Sequence, residues 1–232
     1  MTPEEIQSLI LYRDALMLVL NKPSGVPVHA GSGQLIPLER YFEHLKFGLP
    51  KPPALAHRLD KDTSGCLVLG RHAEALRRLG KLFSQDRIQK IYWAIVYGKP
   101  DRTEGIIDLP LAPQSSRKNL WWMKVDHDTG KPALTAYRIL QSNGTHTWLE
   151  LKPKTGRTHQ LRVHCAAMGW PIIGDKIYGQ NEDKSSLCLH AASIEIPLYP
   201  KRPPIIISAP APGHMTSLIS LIQNNALLGD IS

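Results

Sequence analysis

The sequence predicts an α+β fold, a mixed and mainly antiparallel sheet with flanking helices. Three observations predict it. Short runs suited to strands dominate the middle of the chain, helix-like spacing is confined to a few scattered segments, and the two do not alternate as a doubly wound parallel sheet requires. The 19 prolines and 17 glycines divide the 232 residues into many short elements.

Taken in order, "ALMLVLNKPSGVPVHAG" reads as a strand entering a Pro/Gly turn, and "LIPLERYFEHL" has helix-like apolar spacing. "CLVLG" reads as a buried strand. "HAEALRRLGKLFSQ" predicts an amphipathic helix burying Ala75, Leu76, Leu79, Leu82 and Phe83. "KIYWAIVYG" alternates as a strand, and "GIIDLPL", "LTAYRIL" and "TWLELKP" extend the sheet-rich middle. In "THQLRVHCAAMG", Leu161, Cys165 and Met168 share a helix face that ends at Gly169. "LHAASIEI" and "PIIISAP" are late strands, and "MTSLISLIQNNALL" predicts a terminal helix packed on the outside. No internal repeat or domain boundary is visible, so one domain over 1–232 is expected.

The 42% apolar content suffices for a substantial core, and 28 basic against 20 acidic residues leave a formal charge of +8. That balance favours a polyanionic partner over an acidic one, with simple solubilisation as the bland alternative. The N-terminus carries two acids and no basic leader, and "LMLVL" is too short to span a bilayer. A soluble, cytoplasmic protein with no membrane partner is expected. Cys66, Cys165 and Cys188 are odd in number and widely spaced, which argues for buried thiols rather than disulfides or zinc. No metal or organic cofactor is expected. His164 and His190 read as satisfied core or cleft histidines.

Three stretches concentrate polar residues at the edges of apolar elements. "HRLDKDTSG" precedes a strand, "KIYWAIVYG" carries a phenol, and "LKPKTGRTHQLRVH" crowds cations into a turn-to-helix junction. On local grounds Asp60 could cap a helix, balance Arg58 and Lys61, or attack a substrate. A carboxylate, a phenol and a guanidinium brought together would make a cleft in which one cation keeps one anion ionised.

In that order, these stretches resemble the RluA family of RNA pseudouridine synthases. "HRLDKDTSG" is similar to the family's HRLD-x-x-TSG, "KIYWAIVYG" to K-x-Y-x-A-x-V-x-G, and "TGRTHQLRVHCAAMGWPIIGDKIYG" to its TGR-x-HQ-(I/L)-RVH…GD-x-x-YG segment. "NKPSGVPVHAG" and "LHA" also resemble family signatures. "DLPL", "TGKPALTAYRIL" and the short length resemble most the members acting on both ribosomal and transfer RNA. Cys66 and Gly70 depart from the usual leucine and alanine in the strand after TSG. No N-terminal S4 RNA-binding module is expected, because only about fifteen residues precede the first core strand.

The resemblance implies the pseudouridine synthase fold with a central catalytic cleft. It also implies isomerisation of particular uridines in 23S rRNA, the tRNA anticodon stem-loop, or both, and an expected monomer. Asp60 matches the catalytic aspartate, Arg162 its basic partner, and Tyr92 the tyrosine that stacks on the target base. The base must leave its stack, and Arg58 matches the arginine expected to fill the space. Lys22, Lys61, Lys152, Lys154, Arg157 and His159 are the remaining expected RNA contacts, and Trp121 and Trp122 could stack on bases or pack on the sheet. Two rival readings are an RNA-binding or chaperone protein of this fold with little catalysis, and a glycoside hydrolase in which Asp62 or Asp175 supplies a second carboxyl group.

Overall fold

The computed structural model describes residues 1–30, 35–114, 122–179 and 185–229. Twelve strands and four α-helices occur among them: α1 (Pro3–Ser8), β1 (Ile10–Arg13), β2 (Met17–Lys22), β3 (Ala54–Leu55), β4 (Ser64–Gly70), α2 (Ala73–Ser84), β5 (Gln89–Tyr97), β6 (Glu104–Asp108), β7 (Leu111–Pro113), β8 (Met123–Val125), β9 (Leu134–Ser142), β10 (His146–Pro153), α3 (Gln160–Ala167), β11 (Leu189–Ile196), β12 (Ile205–Ser208) and α4 (Gly213–Gly229). This is the expected α+β fold with mainly antiparallel pairing. "LERYFEHL" forms a 3-10 helix, Leu38–Leu45, rather than an α-helix. Its Leu38, Phe42 and Leu45 are buried, so the apolar spacing marked the correct face.

The chain forms two compact units, Met1–Lys90 with His190–Pro212, and Ile91–Leu189 with Gly213–Ser232. In the first, β2 pairs antiparallel with both β1 and β4, and β12 antiparallel with β11. β4 and β11 are parallel, Ser64 opposite His190 and Gly65 opposite Ala191. β4 is buried from end to end. That explains why "CLVLG" reads as a continuous apolar run rather than an alternating one. Ala75, Leu79 and Leu82 of α2 are buried, with Leu76 and Phe83 half-buried at the margin of the same face. Each fully buried leucine contributes about 1.5–3 kcal/mol of apolar transfer free energy.

In the second unit β10 pairs antiparallel with β5 and β9, and β6 with β9, while β7 and β8 form a separate hairpin. α3 ends where Gly169 turns to φ +86, a conformation that suits glycine. α4 packs on β9 and β10. No described helix is long and apolar enough to cross a membrane.

Candidate active site

In the first unit the turn bearing Asp60 is built by residues distant in sequence. β2 ends at Lys22, which is fully buried. Its ammonium donates to the carbonyl oxygens of Pro23, Val26 and Lys61, each at 2.8 Å. Three donors thus meet three acceptors, and the "NKPSG" loop is fastened to the "HRLDKDTSG" turn. Ser24 Oγ adds a 2.7 Å bond to the Asp62 carbonyl, and Thr63 N–H closes the turn on the Asp60 carbonyl at 3.2 Å. The surface role expected for Lys22 is therefore corrected: its charge is spent inside the fold, where no phosphate reaches it. Burial draws its pKa down to about 8, against the opposing pull of the Asp62 and Asp60 charges.

Either side of that turn is also pinned. His57 stacks on Phe83 at 4.6 Å, and its Nε2 accepts from Val68 N–H at 3.0 Å. Loss of water, with Lys90 nearby, holds its pKa below the ordinary histidine value and keeps the ring neutral. Behind the turn, Gly65 has φ +104, and a Cβ there would run into the Ala191 carbonyl of β11. His190 completes this region. Its Nε2 donates to the Ala209 carbonyl at 3.1 Å, and its Nδ1 lies 2.9 Å from Ser64 Oγ. Asp60 itself is half-buried, whereas Arg58 and Lys61 are exposed. Lys61 faces Asp62 at 3.8 Å.

In the second unit Tyr92 lies half-buried on β5, opposite Leu151 of β10. Arg162 is buried on α3, whose first residue follows His159 in the left-handed region at φ 53. Its Nε donates to Asp175 Oδ2 at 2.8 Å and its Nη2 to Asp175 Oδ1 at 2.6 Å. Asp175 Oδ1 also accepts from the N–H groups of Ile177 and Tyr178, both at 3.0 Å. Burial alone would raise the Asp175 pKa, but these donors outweigh it and hold the carboxyl below its usual range.

The loop before α3 closes on Gln160, which satisfies its whole amide. Oε1 accepts from Thr155 Oγ1 and Arg157 N–H, and Nε2 donates to the Leu134 carbonyl and Thr135 Oγ1. His164 Nε2 meets the Leu109 carbonyl at 3.0 Å and its Nδ1 meets Thr135 Oγ1 at 2.9 Å. His164 and His190 are thus satisfied interior histidines, as expected. Lys152, Lys154 and Arg157 are exposed, although Lys152 pairs with Glu150 at 2.9 Å and Arg157 Nε donates to the Pro132 carbonyl. Trp122 is exposed and Trp121 lies outside the described residues.

The three cysteines are buried free thiols. Burial raises the pKa of Cys66 to about 12 and raises that of Cys165 as well, so neither is a thiolate nucleophile at neutral pH. Among the described residues no group of His, Cys, Asp and Glu is arranged to hold a metal ion. Asp175 is only 2% exposed and committed to Arg162, which leaves it poorly suited to be a hydrolase's second carboxyl group.

The model of a family described as RNA pseudouridylate synthase matches residues 16–167. The chain belongs to that family. As a pseudouridylate synthase it is an isomerase acting on RNA. An uncharacterised RNA pseudouridine synthase from Zymomonas mobilis is 45% identical over 90% of this chain and 96% of its own length. The ribosomal large subunit pseudouridine synthase D of Borreliella burgdorferi is 38% identical over 84% of this chain and 62% of its own. Among solved structures, human RNA pseudouridylate synthase domain containing 4 superposes with a TM-score of 0.80 at 26% identity, covering 95% of each chain.

Sequence reasoning found the motifs of this pseudouridylate synthase but missed three structural partners. Lys22 was visible only as a cation. Asp175 orders its loop through two N–H groups and pairs with Arg162, a partnership that no spacing in the sequence signals. Gln160 is the third, and an amide residue between a Thr-Gly turn and a helix start is the sequence signal that points to it.

Proposed function

We propose that residues 1–232 act as one catalytic domain that converts specific uridines to pseudouridine in 23S rRNA, the tRNA anticodon stem-loop, or both. Large-subunit rRNA is supported by the names of relatives such as the Borreliella burgdorferi enzyme. In the reaction the C1′–N1 bond breaks, the uracil rotates, and a C1′–C5 bond forms as C5 loses its proton and N1 gains one. The Asp60 carboxylate drives the detachment, by attack at C1′ or C6 or by assisting elimination. Arg162 supplies fixed positive charge to the reacting carboxylate, and Tyr92 stacks on the base and serves the final proton transfer. Arg58 fills the space left by the flipped uridine, and the exposed Lys61, Lys152, Lys154 and Arg157 meet phosphates. The half-buried His159 is a further RNA contact beside them. The protein works as a cytoplasmic monomer without a cofactor.

The observation that carries this reading is the construction of the Asp60 turn. Lys22, Ser24, Thr63 and Gly65 fix its backbone, while the Asp60 side chain is left only half-buried. Pseudouridine mapping of total RNA from a strain lacking this gene tests it. Specific sites should vanish and return with the wild-type gene but not with Asp60→Ala. A map that is unchanged, from a protein that still crosslinks to RNA, would instead favour RNA binding without catalysis.

A further inference from the structure

We propose that Asp175 and Tyr178 are positioning residues that hold the Arg162 guanidinium in a single orientation. The inference rests on the role assigned to Arg162 above and adds the residues on which that role depends.

The Arg162 contacts define a plane. Bonds from Nε and Nη2 to the two oxygens of one carboxylate, at 2.8 and 2.6 Å, fix rotation about the last bonds of the side chain. The Tyr178 ring covers the guanidinium, with Cζ 5.2 Å from its centroid. Asp175 is itself held by the N–H groups of Ile177 and Tyr178, and its loop is closed by Gly179 N–H on the Asp175 carbonyl at 2.9 Å. The Tyr178 hydroxyl accepts from Met123 N–H at 2.8 Å and bonds His159 Nδ1 at 2.8 Å. A single short loop, "GDKIYG", thereby reaches the start of α3, the β7–β8 hairpin and the arginine.

Stability does not explain this arrangement. A buried ion pair recovers little more than the cost of removing both charges from water, and well-packed apolar residues would serve the fold equally well. What the pair provides is a charge with a defined direction. A catalytic cation needs that property, because small displacements of a charged group weaken its action on a transition state far more than its action on a bound ground state.

The test is single-turnover release of tritium from C5-labelled uridine in transcripts of 23S rRNA segments and tRNA anticodon arms, with RNA affinity measured in parallel. Asp175→Asn should slow the step at saturating RNA by about 100-fold. Its Kd for RNA should stay within about threefold of wild type, the pattern of an interaction realised in the transition state. In an Arg162→Lys background the same change should alter the rate by less than about threefold, because the two residues act as a unit. A wild-type rate in Asp175→Asn, or a full additional loss in the Arg162→Lys background, overturns the proposal.

Circular dichroism at the assay temperature reports whether Asp175→Asn is folded. If it is not, Tyr178→Leu at its half-buried site carries the test, with an expected loss of about tenfold in rate at unchanged Kd. An unchanged rate there overturns the proposal. A wild-type protein that releases no tritium from either RNA overturns the functional reading instead, and the two failures are thus separable.

Discussion

Replacing Lys22 with Met removes a buried charge while keeping most of the side-chain volume. In the wild type, three charged hydrogen bonds at roughly 1.5–3 kcal/mol each oppose a desolvation penalty of several kcal/mol. In the variant both vanish, and the carbonyls of Pro23, Val26 and Lys61 lose their donor. Pro23 and Val26 are only partly buried and Lys61 is exposed, so water satisfies some of the carbonyls and the low end of the cost applies, about 3 kcal/mol. For a chain of this size that is a fall in Tm of roughly 6–12 °C. Calorimetry checks the size of the loss.

The pH dependence gives a second, independent signature. Lys22 holds its proton up to its ordinary pKa of 10.5 when unfolded but only to about 8 when folded. Between those values the unfolded chain binds more protons, so wild-type stability gains a contribution as pH rises from 8 to 10.5. That contribution is absent below the folded pKa and complete above the unfolded one. Lys22→Met should lack it. A variant melting within about 2 °C of wild type, with the same alkaline rise, would refute the reasoning that a buried ammonium fastens the Asp60 turn.

Two further perturbations probe the neighbouring elements. Gly65→Ala combines a left-handed backbone position with a collision against the Ala191 carbonyl, and should cost about 3 kcal/mol or more in urea denaturation; no change would mean that β4 and β11 are not paired in this register. Tyr92→Phe keeps an aromatic face and removes the hydroxyl, so RNA affinity should hold while turnover falls by about 100-fold or more; full activity would leave Tyr92 a stacking residue alone.

Much of the fold was legible because its strands and helices announce themselves locally. β4 is a short apolar run, α2 has a clear buried face, and Gly169 ends α3 where a glycine was expected to. The 3-10 geometry of Leu38–Leu45 was not legible, since its apolar spacing fits either helix type over two turns. The candidate site was legible as motifs, but the partners of its charges were not. Lys22 and the Lys61 carbonyl are 39 residues apart, and that acceptor is a backbone atom carrying no sequence signature. Arg162 and Asp175 are only 13 residues apart, but a loop stands between them and no periodicity relates them.

The two units compensate buried cations in different ways, and the difference bears on function. Arg162 meets the Asp175 carboxylate through two hydrogen bonds, which give its charge a fixed direction. Lys22 meets only carbonyl dipoles, so a net positive charge remains beneath the Asp60 turn, attracted to Asp60 and Asp62. Dipoles that solvate an ion without cancelling it leave its field available to nearby groups. The formal +8 of the chain is therefore not all offered to RNA. Lys22 acts inside the fold and Lys152 is partly neutralised by Glu150, whereas Arg58, Lys61, Lys154 and Arg157 are exposed, and under the proposed function it is these that would carry the salt-dependent part of RNA binding.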